Sequence, residues 1–161
     1  MGMTFDDRAT KNWLYDRVRI MDQNISAAVL TASSDLVNRT QSELAKNGQH
    51  DPITTRSTAP IGSAPMMASG DLRNSVERIS QSRIGFGIYE AVVGTKSIYA
   101  HVQEKGMQIY ARSYMKFIYG GVSYHAAMVE IPPRPFFAPS VEQSVPFIER
   151  IFVNAVGRSV I

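Results

Sequence analysis

Three histidines, His50, His101 and His125, are the residues of this chain best suited to metal or acid–base chemistry. They lie far apart in different local contexts, and no pair has the i, i+4 spacing of a helical metal site. Cysteine is absent, which removes thiolate ligands, disulfides and cysteine nucleophiles together. Serines are plentiful, but a serine nucleophile needs a base and an orienter, and none sits in a Gly-x-Ser-x-Gly elbow. Gly85-Phe86-Gly87 lies inside a strand-like run with no helix behind it, so strand packing or a bulge is expected rather than a phosphate loop. Asp6 and Asp7 are adjacent and cannot both face one site in a helix. Glu90, Glu104 and Glu130 meet only if the tertiary fold brings them together. No catalytic residue, metal site or cofactor is expected. The chain reads as a non-enzymatic protein.

Two groups of residues point to binding instead. Tyr110, Tyr114, Phe117, Tyr119 and Tyr124 are interleaved with Arg112 and Lys116, a pattern that stacks on bases and that strands also use for packing. Core or subunit interface is the favoured reading of these aromatics, and a nucleic-acid surface is the rival. The charge balance is 17 basic to 14 acidic, a net +3. That excess is slight and spread along the chain, whereas a tight DNA binder clusters its cations. DNA is therefore expected to pass near this protein rather than be gripped by it. Arg134 stands between Pro133 and Pro135, which hold the backbone extended. Its planar cation suits a bidentate carboxylate in the same chain or the next. Phe136 and Phe137 follow on consecutive positions and point to opposite sides. Either one fills the core while the other reaches a neighbour, or both anchor the last helix.

These side chains need elements to position them. The chain has 161 residues, 44% of them apolar, enough for one domain with a real core. No apolar run approaches the length of a bilayer span. The N-terminus lacks the basic start, apolar stretch and cleavage site of a signal peptide, so folding in a cytoplasm is expected. Leu14, Val18, Met21, Ile25, Ala28, Ala32 and Leu36 recur at steps of three and four, the stripe of an amphipathic helix. Asp6 or Asp7 caps its start and Gly48 stops it. About 43 helical residues would span roughly 65 Å, longer than a compact domain of this size is wide. The helix must bend near Ser33-Ser34 or pack its far end on another subunit, and assembly is favoured.

Residues 49–68 hold three prolines among small polar residues and read as an extended loop or arm. If that arm orders only against a neighbour, deleting 52–66 spares the fold. Ser69 starts a short helix with Leu72, Val76 and Ile79 on its buried side. A strand runs from Arg83 to Gly94, and a helical turn or two from Ile98 ends at Gly106. Tyr114 to Tyr119 and Val122 to Val129 form a hairpin about Gly120-Gly121, stopped by Pro132-Pro133. A last helix from about Ser140 is expected to break at Pro146, which costs a helix interior about 3 kcal/mol. The fold class is α+β: a long N-terminal helix, a small central antiparallel sheet with a hairpin, short helices, and a C-terminal helix packed on one face. One domain covers 1–161, with helix over 1–48, the arm over 49–68 and an α+β core over 69–161.

Three segments carry a resemblance. Ser69-Gly70-Asp71-Leu72-Arg73-Asn74-Ser75 resembles a Thr/Ser-Gly-x-Leu-Arg-x-Ser element. Val93-Gly94-Thr95 followed by Tyr99-Ala100-His101-Val102-Gln103-Glu104-Lys105-Gly106 is similar to a Val-Gly, Tyr-Ala, Glu-x-Gly run. Ile131-Pro132-Pro133-Arg134-Pro135-Phe136-Phe137 is close to Ile-Pro-x-Arg-Pro-Phe before a final helix. In this order they resemble the tail-component and virion-morphogenesis proteins of tailed phages, of the kind found in HK97 and Mu, over about residues 69 to 140. The long first helix and the loop after it exceed the simplest members, and Lys105 stands where the family often has an aromatic. The resemblance implies a neck or tail-completion protein at the head–tail junction of a virion. It would be a closed ring of copies, most simply about six, with about twelve as the alternative. It implies head-completion or adaptor proteins and a tail terminator or tube as partners, DNA passing through the lumen, and no membrane. An assembly factor absent from the finished particle is the alternative within that class. Arg134, Phe136, Phe137, Leu14, Val18, Met21 and Ile25 are the expected subunit contacts.

Overall fold

The computed structural model describes residues 7–48, 59–66, 69–119 and 121–160. The fold is α+β. It opens with α1, Arg8–Ala45, an unbroken helix of 38 residues, about 57 Å long. The helix continues through Ser33 and Ser34, whose hydroxyls donate to the Leu30 carbonyl, both at 2.9 Å. Asp7 occupies the cap position without a side-chain cap bond, and its carboxylate pairs with Lys11 instead. Gly48, at φ 70°, ends the helical path by donating to the Ala45 carbonyl at 3.2 Å.

The last helix, α4 (Phe137–Val160), lies antiparallel along α1. Asn24 donates to the Ala155 carbonyl at 3.4 Å, and Arg39 stacks over Phe147 at 5.8 Å. The seam is built of small residues, with Ala28, Ala32, Ser33 and Thr40 on α1 and Ser140, Ser144 and Ala155 on α4 all buried. Pro146 does not break α4. The expected start and break of this helix are both corrected. It begins earlier, at Phe137, because Glu104 supplies a cap from outside the helix. Its packing along α1 holds the path past the proline, whose missing N–H costs one backbone bond.

Between the two long helices the strands form two separate two-stranded antiparallel sheets. The first joins β1, Val76–Gly85, to β2, Ile88–Thr95. The expected second helix is correspondingly shorter: α2 covers only Asp71–Asn74, and Val76 and Ile79 belong to β1. Their three-residue spacing imitates a helix, but Val76 is buried while Ile79 is exposed at a register shift in β1. Gly85 ends β1 beside a register shift, in line with the expected bulge, and Phe86-Gly87 makes the turn of this hairpin, with Gly87 at φ 67°. The hairpin packs on α1. A short α3, Ala100–Lys105, stops at Gly106.

The second sheet joins β3, Met107–Tyr119, to β4, Val122–Ile131, through a turn containing Gly121 at φ 79°. This hairpin starts seven residues earlier than Tyr114. Among the described residues it has no extensive packing on another element.

The core gathers Leu44, Val76, Ala100, Phe136 and Ala64, with Val37, Leu72 and Phe137 against it. Ala64 belongs to the proline-rich loop. Asn47 donates to Ser63 Oγ at 3.2 Å and to the Ala64 carbonyl, and Gly62 donates to the Pro133 carbonyl at 3.2 Å. Residues 59–66 are thus ordered on their own chain, which corrects the expectation that deleting them spares the fold. The rest of that loop lies outside the described residues. No helix among the described residues is long and apolar enough to cross a membrane.

Candidate assembly interface

The three short motifs converge on one junction. The Glu104 carboxylate accepts backbone N–H groups from Phe136 and Phe137 on one oxygen and from Ala138 on the other, all at 2.9 Å. A carboxylate there satisfies the orphan donors of α4 and meets the positive end of its dipole. Arg134 N–H donates to the Gln103 carbonyl at 2.6 Å. Gly106 is wedged between these segments: a Cβ would stand 2.7 Å from the Ile131 carbonyl oxygen and 2.9 Å from Pro133 N, and φ is +73°. Ser75 and Thr95 share a hydroxyl hydrogen bond of 2.6 Å, which ties the first motif to the second. A cleft of about 590 Å³ remains between them, lined by Leu44, Leu72, Lys96, Tyr99 and Gln103 among others.

This junction accounts for several expected contact residues. Phe136 is 2% exposed, so it is core and is corrected as a subunit contact. Phe137 is half-buried against the same core. Both phenylalanines anchor the start of α4. Arg134 is half-buried. Its Nε is buried without a hydrogen-bond partner, and among the described residues no carboxylate pairs with it. The Gln103 side-chain oxygen is likewise buried and unmatched.

A second polar hub holds the first hairpin. Asp22 on α1 accepts from Gly87 N–H at 2.9 Å, from the Tyr89 hydroxyl at 2.9 Å and from the Arg83 guanidinium at 3.2 Å. Partial burial, and then the Asp22 carboxylate, push the Tyr89 hydroxyl above its ordinary range. Nothing in the sequence marked Asp22, which sits on the polar side of a helix like its neighbours. Glu104 stands two residues before a helix-stopping glycine, but its partners lie over thirty residues away.

The remaining expected contacts fall on α1. Ala155 of α4 lies beside Asn24, and five further residues carry α4 only about 7.5 Å beyond. Residues 8–16 of α1 therefore run past its end, and all are exposed. Trp13 is 55% and Tyr15 71% exposed, with Arg17 stacked on the Trp13 ring at 5.4 Å. Along the expected stripe Leu14 is exposed, Val18, Met21 and Ile25 are half-buried, and Ala28 and Ala32 are buried.

The β3–β4 hairpin is another uncovered surface among the described residues. Cross-strand partners share a face, and one face carries the pairs Tyr110↔Met128 and Met115↔Ala126 together with Val122 and Tyr124 of β4. The other carries Ile109↔Val129 near the base and Lys116↔His125 and Ile118↔Ser123 near the tip. Tyr110, Tyr114, Tyr124, Ile118 and Met128 are all exposed. Tyr114 makes an edge contact with the His125 ring at 5.0 Å. His101 is exposed on α3, and His50 lies outside the described residues. Searches of protein-family models, curated proteins and solved structures match nothing to this chain.

Proposed function

We propose that this chain is a non-enzymatic structural subunit that assembles with copies of itself into a closed ring, serving as a neck or tail-completion protein of a tailed phage. The observation that carries the self-assembly is the β3–β4 hairpin, which among the described residues has no extensive packing on another element. An isolated two-stranded ribbon is marginally stable in water. One faced with exposed tyrosine, methionine and isoleucine also forms an apolar patch of the kind that marks an interaction site. We take its cover to be another copy of the chain. The overhanging start of α1 adds a second apolar surface in need of a partner. The place of the ring in a virion rests on the three motifs, whose order and spacing resemble the phage family. The proposed partners are head-completion or adaptor proteins on one side and a tail terminator or tube on the other. DNA would move through a weakly charged lumen.

The test is the mass of the full chain in solution, measured by sedimentation alone and after mixing with phage heads that lack tails. A ring of about six or about twelve copies in either condition supports the reading. A monomer in both contradicts it. Purified virions containing the chain would separate a neck protein from an assembly factor. A second reading is favoured by one observation: exposed Tyr110 and Tyr114 stand beside exposed Arg112 and Lys116, as on a surface that stacks single-stranded bases. Retention of a single-stranded oligonucleotide that falls steeply with salt would support that alternative.

A further inference from the structure

We infer that the β3–β4 hairpin of one copy lies across the outer stripe of α4 on the next copy. This rests on the self-assembly proposed above and adds which surfaces meet. α4 turns Ser140, Ser144, Ile151 and Ala155 toward α1 and leaves Val141, Val145, Val153 and Val156 exposed. At 3.6 residues per turn, Glu142, Val145, Glu149 and Val156 fall within about 60° of one another. The outer stripe is therefore apolar with two carboxylates on it. The hairpin has the complementary character on the face that carries Ile109, Lys116 and Ile118, where two exposed isoleucines flank the Lys116 cation, and Arg112 is exposed on the same strand. Among the described residues none of Glu142, Glu149, Arg112 and Lys116 belongs to an ion pair within the chain.

Opposite charge on two unpartnered apolar faces of the same chain selects a second copy as the occupant. The overhanging end of α1 is a poorer dock for the hairpin. From Asp7 to Arg19 it carries Arg8, Lys11, Arg17 and Arg19 against two aspartates, the same sign as the hairpin. A contact between two unlike surfaces is heterologous. Repeated, it closes into a ring when the rotation permits.

Charge reversal on the full-length chain tests this, read by sedimentation across concentration, or on tail-less heads if assembly occurs only there. The variants are Arg112→Glu with Lys116→Glu, Glu142→Lys with Glu149→Lys, and all four together. All four sites are exposed, and equal thermal midpoints establish that each variant folds. Each double variant should raise the concentration for half-assembly by about tenfold or more, since opposed like charges penalise an interface. The quadruple variant should return it to within about threefold of the native chain. Unchanged assembly in the doubles, or no recovery in the quadruple, overturns the pairing while leaving self-assembly standing. A native chain that stays monomeric alone and on heads overturns both. Loss of single-stranded oligonucleotide binding in the Arg112/Lys116 variant, with its mass unaltered, assigns the hairpin to nucleic acid and also overturns the pairing.

Discussion

Single atoms decide much of this molecule's geometry, and Glu104 is the clearest case. One carboxylate takes three backbone donors at the start of α4 and so fixes that helix to α3. Glu104→Ala should cost about 2–3 kcal/mol in a denaturant titration, as charged acceptors of several N–H groups do, and Glu104→Gln should cost less. Gly106→Ala should destabilise at least as much, because the new methyl meets backbone atoms at 2.7 and 2.9 Å at a positive φ. Asp22 gives a pH signature as well. The Tyr89 hydroxyl donates to it, so the folded state holds the Tyr89 proton more tightly than the unfolded chain does. A group whose folded pKa is raised stabilises fully below its unfolded value, near about 10. That stability is lost as pH rises through the folded value. Tyr89→Phe should therefore remove part of the alkaline loss of stability measured between about pH 9 and 12, while a variant with the same pH profile as the native chain would remove Tyr89 from this role. These roles were hard to read in advance. The spacing around Arg134 and Phe136 marked the right segment, but the partners that explain it come from α3.

At the scale of elements, periodicity served well where local pattern and tertiary packing agree. The α1 stripe, the glycine stops at Gly48 and Gly106, and the turn between Tyr119 and Val122 were all legible. The first hairpin was not, because Leu72, Val76 and Ile79 recur at helical steps although Val76 and Ile79 lie in β1. Local propensity also misplaced the fate of Pro146, since α4 is held along its length by a seam of small residues on α1. The proline still removes one backbone bond. Pro146→Ala should raise the thermal midpoint, by an amount corresponding to about 1–3 kcal/mol. An unchanged or lower midpoint would mean that α4 already avoids the cost.

For the whole molecule, the account turns on what the chain leaves uncovered. The core around Phe136 is small, α4 is too short to shield the start of α1, and the second hairpin stands off from the rest. That imbalance was visible in the sequence only as a helix longer than its domain; the hairpin's isolation was not, because aromatic strands look alike in a core and on an arm. Hydrogen exchange of the β3–β4 amides reads the imbalance most directly, with the amides of residues 28–44 of α1, the stretch that holds its buried side chains, as the internal standard. The account predicts fast exchange across β3 and β4 in dilute monomer, slowing as concentration rises or tail-less heads are added while the standard holds steady. Strong protection of those strands in the dilute monomer would contradict it, because the hairpin would then need no second chain.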